Sequence, residues 1–285
     1  MVLRRNELWY GLGSLILGIV GARVGDFAMQ WQPVPAGIPG RTVLAYLSAL
    51  ILIALGTAML TGIRPRATLL AATIFYGLWV VLLHLPAAIA NASQLYEWNG
   101  LAEILAITAG GAAGWALADA ATTQSNRVAH IARLIFGTCL LVFGTSHFVY
   151  DDFSAGLIPG WLPAPLFWVY LTGAGHAAAG LAFLAGVATR LASTLLAAMF
   201  ACFVLLLHLP RVLAHPELRV EWTMLGIAVT LTGAAWLLRA TVYPSSSRST
   251  DDAIAAVNRD RQSALADQAA PSPGQTSGRS SDAGT

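Results

Sequence analysis

The chain has 285 residues, of which 56% are hydrophobic and only 11% are charged, and its formal net charge is +2. Soluble globular proteins carry about 25% charged residues, so this composition cannot build a water-facing surface. The low charge and the mean hydropathy of +0.66 argue against a soluble enzyme, a disordered protein and a nucleic-acid binder, and they indicate a polytopic membrane protein.

A helix needs about 20 apolar residues to cross the hydrocarbon core, and eight segments of the chain reach that length. The runs are continuously apolar and lack the alternation of a barrel strand, so helices are expected. The predicted fold class is all-α, with eight transmembrane helices. The predicted spans are Glu7–Met29, Thr42–Thr61, Ala67–Ala90, Trp98–Leu117, Ile131–Tyr150, Leu166–Val187, Leu191–Leu213 and Trp222–Leu238.

The distribution of arginine in the short loops predicts the orientation. Both termini are predicted to be cytoplasmic, in the inner membrane of the cell. Arg4 and Arg5 before an apolar run also resemble a signal peptide, but the run continues past Gly21, which favours an uncleaved anchor. The predicted cytoplasmic arginines are Arg4, Arg5, Arg64, Arg66, Arg127, Arg133, Arg190, Arg239 and Arg248, and the predicted outer ones are Arg41, Arg211 and Arg219.

The chain contains an internal repeat. Sliding it against itself by 124 positions aligns Pro35–Glu103 with Pro159–Ile227 without a gap, and 20 of the 69 aligned positions are identical. The sequence LLHLP of Leu82–Pro86 recurs at Leu206–Pro210. Each half then holds four helices, and this even number makes both halves insert the same way up.

The repeat predicts two parallel four-helix bundles packed side by side. The first repeat is expected over residues 1–120 and the second over 131–240, with a cytoplasmic linker at 121–130 between them. Residues 241–285 are rich in Ser, Asp, Ala, Gln and Gly. Such a segment buries too little apolar surface to fold alone, so we expect a disordered cytoplasmic tail.

Four motifs of the second half carry a family resemblance: Gly144–His147, Leu157–Pro163, Gly180–Leu181 and His208–Pro210. In these the chain resembles the DoxX family of four-helix membrane proteins, and the first half is a looser copy. The resemblance implies membrane redox chemistry, including thiosulfate–quinone oxidoreduction and complexes with superoxide dismutase and a sulfurtransferase. Relatives in the wider superfamily act in assembly or trafficking. Family members commonly carry a Glu in the second helix, where this chain has His176.

The predicted topology places nearly all ionisable residues of the membrane body in the outer half. His176 lies about ten residues into the sixth helix, which at a rise of about 1.5 Å per residue is near the midplane. An ionisable group at that depth is costly and favours a functional role. The candidate ligand-binding residues are His147, His176, His208 and His84, and the candidate supporting carboxylates are Glu97, Glu221, Glu103 and Asp26.

The histidines also have purely structural interpretations. His84 and His208 recur with Pro and carboxylate neighbours, so a His–Glu contact that fixes a loop competes with a pair of imidazoles for haem iron or a quinone carbonyl. His176 lies among small residues, so close helix packing competes with a slot for a flat head group. His147 faces the same slot or makes an interface hydrogen bond.

The acidic residues and cysteines have simpler expectations. Asp26 and Arg23 lie three residues apart and are expected to neutralise each other. Glu103 is either a bundle contact or a proton relay. Cys139 and Cys202 are far apart and form no CxxC, so dithiol redox chemistry is unsupported. No catalytic residue and no metal site is predicted.

Three functions stay open from the sequence, and whether the protein is an enzyme stays open with them. The first is a subunit of a membrane redox system with redox-partner proteins and an outward-facing pocket for quinone or haem. The second is a non-enzymatic assembly or partner-binding protein. The third, a small-molecule transporter, ranks last because such proteins usually break helices near the midplane, whereas Pro35, Pro39, Pro159 and Pro163 fall in predicted loops. The lipid bilayer is a partner in all three, and nucleic acid is a partner in none.

Overall fold

The computed structural model describes residues 2–118 and 122–241, and side chains from residue 7 onward. Within these ranges the chain forms eleven α-helices and no strand. Residues 242–285, nearly the whole of the predicted tail, lie outside the described residues. The helices are α1 (Val2–Val24), α2 (Arg41–Thr61), α3 (Pro65–Trp79), α4 (Leu85–Ala90), α5 (Leu95–Leu117), α6 (Thr123–Val149), α7 (Asp151–Leu157), α8 (Pro165–Ala185), α9 (Thr189–Cys202), α10 (Leu209–Ala214) and α11 (Arg219–Thr241).

Eight helical stretches are long and apolar enough to cross a membrane, which confirms the all-α prediction with eight candidate spans. Two of them are composite, because a π-helical segment joins α3 to α4 and another joins α9 to α10. The clearest difference in bounds is α6, which begins at Thr123 inside the predicted linker. Thr122 and Ser125 form a capping box there, so the polar first turns of α6 are stable as helix.

The two halves share their helix spacing. The bounds of α2 and α8 differ by 124 residues at both ends, and so do those of α5 and α11. Left-handed backbone recurs at the same offset, at Gly40 and Ala164, Gly62 and Gly186, and Arg64 and Ala188. The aligned indoles of Trp98 and Trp222 each donate a hydrogen bond of 2.9 Å to the carbonyl six residues earlier.

The π segments, Val80–His84 and Phe203–His208, each end at a histidine two residues before a proline. A proline inside a helix supplies no N–H, and its ring clashes with the carbonyl four residues earlier, so the preceding turn widens. The widened turns hold His84 and His208 in the protein interior, at 3% and 8% exposure.

α11 and α5 form the centre of the molecule, with 83% and 61% of their spans buried. α1 packs against α2 and α11, and α5 packs against α3, α6 and α11. α6 packs in turn against α8. Each half therefore contacts the other through its first and last spans, and all eleven helices belong to one compact unit.

Glycines bring α1 against α2 and α6 against α8. A Cβ on Gly18 would lie 2.8 Å from the Ala49 carbonyl oxygen, and one on Gly144 would lie 2.9 Å from that of Gly173. Such small residues let two backbones approach closely. Gly18 and Gly144 are 126 residues apart whereas their partners are 124 apart, so the chain from Gly18 to Ala49 is two residues longer than the chain from Gly144 to Gly173.

Candidate functional site

The structure brings His147 and His176 together, and we call them the histidine pair. Their ring centroids are 4.9 Å apart. His147 lies in the last turn of α6 and His176 in the middle of α8. They meet because Gly144 and Gly173 hold these helices close, and a Cβ on Gly173 would lie 2.8 Å from that of His147.

Aromatic rings surround the histidine pair. The centroid of His176 lies 5.6 Å from that of Phe143, 5.5 Å from Phe200 and 6.1 Å from Phe203. Phe203 also stacks on His147 at 6.5 Å. His176 is only 1% exposed, so the small residues of α8 provide close packing and rings fill the surrounding space.

The two imidazoles differ in their hydrogen bonds. His147 Nδ1 donates to the Phe143 carbonyl at 2.8 Å, which leaves its Nε2 as an acceptor. Among the described residues, both ring nitrogens of His176 are buried without a hydrogen-bond partner. The Thr172 backbone, one turn earlier in α8, approaches the imidazole of His176 without meeting the geometry of a hydrogen bond. A buried polar atom of this kind costs about 1–3 kcal/mol, so it needs a functional explanation.

The histidine pair does not fit haem. Two axial imidazoles must stand on opposite faces of the macrocycle, whereas these two rings contact each other directly. A quinone head group binds differently, through an N–H donor to a carbonyl oxygen and through flat apolar surroundings. His176 and the three phenylalanines provide both.

In the first half a cluster forms around Trp31, which lies in a short 3₁₀ turn, Met29–Trp31, and is 6% exposed. His84 Nε2 donates to the Trp31 carbonyl at 2.9 Å. The Trp31 indole N–H donates to the Glu103 carboxylate, which also accepts from Asn99 Nδ2 at 3.2 Å. His84 is thus bonded to a carbonyl rather than to the expected carboxylate, and Glu103 makes a bundle contact. Trp31 was not among the residues that the sequence predicted for the site.

In the second half Glu221 bonds with Arg211 rather than with His208. Arg211 Nε and Nη2 donate to its carboxylate at 2.8 and 2.6 Å, and Glu221 is 2% exposed. His208 Nδ1 is buried without a partner, and within the described ranges Nε2 has none either. The aligned Glu97 accepts a long contact of 3.5 Å from Asn91.

Phe203 and His208 are the first and last residues of the π segment that joins α9 to α10. Among the residues that the structure describes, His208 has no ring contact with His147 or His176. Of the four predicted histidines, His147 and His176 meet. His208 lies five residues after Phe203, which contacts both of them, and His84 belongs to the first half.

Asp26 does not pair with Arg23, contrary to expectation. It accepts hydrogen bonds from Arg41 and, at 3.2 Å, from Arg219. Gly25 adopts a φ of +69° that ends α1, so the three-residue spacing to Arg23 is no longer helical. Burial acts to raise the pKa of Asp26, but the Phe27 N–H and the guanidinium groups of Arg219 and Arg41 outweigh it and hold the pKa below its ordinary value.

The sequence analysis also missed a polar face of α1. Glu7 is 1% exposed, and its Oε1 has no partner. The Tyr10 hydroxyl donates to the Ile107 carbonyl at 3.0 Å, and Ser14 and Tyr76 share a hydrogen bond of 3.0 Å. The spacing of Glu7, Tyr10 and Ser14 along one helix face was the available signal.

Two cavities of the described residues lie away from the histidine pair. One of 140 Å³ lies between α5 and α6 near Leu105 and Ile135, and one of 470 Å³ lies beside Arg64 and Trp115. A ligand at the pair must therefore move a side chain.

Cys139 is buried and Cys202 exposed, and both are free. In residues 2–118 and 122–241 no three His, Cys, Asp or Glu side chains are placed to hold a metal ion.

Comparison with known proteins finds one similarity. Residues 136–239 match a family described as a domain of unknown function, DUF8561. The match covers less than half of the chain and includes the histidine pair and His208. Neither a curated protein nor a solved structure matches the chain.

Proposed function

We propose that this multi-pass membrane protein is a DoxX-like subunit of a membrane redox system and that it binds a quinone head group at the histidine pair. The observation that carries the proposal is the state of His176. Both of its ring nitrogens lack a partner, although the ring is fully enclosed by aromatic side chains and His147. A quinone carbonyl would satisfy this buried donor.

The residues of the pair have separate tasks in this proposal. A bound quinone supplies two-electron, two-proton redox chemistry. His176 donates a hydrogen bond from one ring nitrogen and orients the head group, and His147 holds or releases a proton at Nε2, because Phe143 keeps the other proton on Nδ1. Phe143 and Phe200 exclude water. Phe203 begins the π segment, where the helix is least regular, so it is the ring that moves aside.

The architecture of the proposal is two parallel four-helix repeats with both termini in the cytoplasm of the cell. The shared helix spacing of 124 residues supports the repeat. Arginines in the turn between α2 and α3 and in the first turns of α3 and α9, namely Arg64, Arg66 and Arg190, support the orientation. In this orientation the histidine pair lies on the side of the outer face, where redox-partner proteins would dock.

Quinone binding to the purified chain in lipid nanodiscs tests the proposal, with decylubiquinone as the probe and calorimetry as the readout. The wild type is expected to bind, and His176→Phe is expected to bind about tenfold more weakly or worse, because it keeps the ring and loses the donor. His215→Phe is the control, since His215 is an exposed loop residue. The proposal fails if the wild type does not bind the probe or if His176→Phe binds as tightly as the wild type.

A second candidate, a non-enzymatic assembly or partner-binding protein, is favoured by the closed packing of His176, which is 1% exposed. In that case the histidines only hold the bundle together. A variant with His147→Ala, His176→Ala and His208→Ala that still complements a deletion strain would favour this function, provided that the variant reaches wild-type levels in the membrane.

A further inference from the structure

We infer that His208 donates a hydrogen bond to a carbonyl of the bound head group, as its first-half equivalent His84 does to the main-chain carbonyl of Trp31. This inference rests on the proposed quinone site and deepens it. It identifies the residue that holds the head group on the outward side of the histidine pair. It also explains why the second half, and not the first, has this site.

His84 and His208 are equivalent residues. They are 124 positions apart, each ends a π segment, and each precedes a Leu-Pro pair. Both are buried, at 3% and 8% exposure. The same backbone therefore places an imidazole in the outer part of each half, and any difference between them comes from what meets the ring.

The partners of the two imidazoles differ completely. His84 Nε2 donates to the Trp31 carbonyl at 2.9 Å, and the Trp31 indole is held by Glu103. His208 has no hydrogen-bond partner among the described residues, and its Nδ1 is fully buried. Ile227 stands at the position aligned with Glu103, so the second half also lacks the acceptor that would hold an indole.

Loop length explains the difference. The chain between equivalent helix contacts is two residues longer from Gly18 to Ala49 than from Gly144 to Gly173, and the longer connection contains the 3₁₀ turn that inserts Trp31. The shorter one forms α7, which has no buried residue. Its aromatic side chains Phe153 and Trp161 are 69% and 65% exposed, and Tyr150 is half-buried. Among the described residues, none of this connection bonds to His208 as Trp31 bonds to His84.

The Trp31 cluster indicates the chemistry of the missing group. His84 receives the main-chain carbonyl oxygen of Trp31. A 1,4-quinone offers carbonyl oxygens on opposite edges of a flat ring. Phe203 and His208 are the two ends of one π segment, and Phe203 contacts both rings of the histidine pair at 6.1 and 6.5 Å. In this inference His208 takes the outer carbonyl and His176 the inner one.

Matched variants of the full chain in nanodiscs test the inference, again with decylubiquinone. His208→Phe keeps a ring and loses the donor, so we expect about tenfold weaker binding and an unchanged or higher melting temperature, since no protein hydrogen bond is lost. His208→Gln retains an N–H donor and is expected to restore binding to within about threefold of the wild type. His84→Phe is expected to lower the melting temperature, because it breaks the bond to the Trp31 carbonyl.

The outcomes separate the two proposals. Weaker binding by His208→Phe, with His208→Gln close to the wild type and His215→Phe unchanged, supports the inference. If His176→Phe weakens binding while His208→Phe binds like the wild type, this inference is overturned and the proposed function stands. If the wild type does not bind the probe, both are overturned.

Discussion

Arg211 and Glu221 form a two-pronged ion pair at the corner between α10 and α11, with N–O distances of 2.8 and 2.6 Å. Glu221 is buried whereas Arg211 keeps a third of its side chain exposed. The aligned position in the first half is Ala87, so Glu97 has no such partner and stays partly exposed. The pair is thus a feature of the second half alone.

Arg211→Ala is expected to destabilise the protein by about 3 kcal/mol, because it leaves the buried carboxylate of Glu221 without its cation. Glu221→Gln keeps a hydrogen-bonding group without the charge and should cost less. Thermal unfolding in nanodiscs measures both. Arg23→Ala is the control, since Arg23 is exposed, and an Arg211→Ala loss no larger than the Arg23→Ala loss would contradict the expectation.

Asp26→Asn is expected to lower stability at neutral pH and to have no effect in acid. The pKa of Asp26 is depressed in the folded state. Its stabilisation is therefore present above the unfolded-state pKa of about 3.9 and is lost as the pH falls through the lower folded-state value. Melting curves of the two proteins from pH 7 downward should converge below about pH 4. A difference that persists or grows in acid would rule out the ion pair as the cause.

Gly18→Ala is expected to destabilise the packing of α1 on α2 by about 1–3 kcal/mol, because the added Cβ meets backbone atoms that cannot move without shifting a helix. The contacts would be 2.7 Å to the Ile53 nitrogen and 2.8 Å to the Ala49 oxygen. Gly37→Ala, whose Cβ meets nothing within 4 Å, is the matched control. Equal melting temperatures for the two variants would show that the helices are not in close contact.

His176→Phe is expected to raise the melting temperature in the absence of quinone. It removes two buried nitrogens without partners, worth about 1–3 kcal/mol, and keeps a ring of similar shape. His176→Ala should lower it, because a cavity then opens among Phe143, Phe200 and Phe203. A drop for both variants would mean that His176 makes a stabilising hydrogen bond, and the argument for a ligand would lose its basis.

The orientation is testable by labelling with a membrane-impermeant maleimide in a background with Cys139→Ala and Cys202→Ala. Ser93→Cys, in the exposed turn before α5, is expected to react in intact cells. Ile63→Cys, in the turn between α2 and α3 and 58% exposed, is expected to react only after permeabilisation. The reverse pattern would place the outer ends of the π segments in the cytoplasm and refute the outward-facing site.

The positions of the helices followed from the sequence because their causes are local. Run length and the prolines at Pro86 and Pro210 act within a few residues, so eight apolar stretches appear where they were expected. The error at α6 is also local, since Thr122 and Ser125 form a capping box that extends the helix into polar sequence.

The contacts of the site could be predicted only in part. His147 and His176 were candidates because they are ionisable within apolar helices, and they meet. The prediction that Asp26 pairs with Arg23 was wrong. The Gly25 turn and the approach of Arg219, which is 193 residues from Asp26, depend on tertiary packing. Trp31 was not predicted as part of a site, because nothing near it in the chain pointed to His84.

The sequence by itself determined that this is an all-α chain with eight apolar helices, because hydrophobic length and periodicity are properties of neighbouring residues. Only the tertiary structure decided which polar groups are left without partners among the described residues. That outcome depends on where glycines let helices touch and, for His84 and His208, on the longer connection after α1, which brings the Trp31 carbonyl to His84.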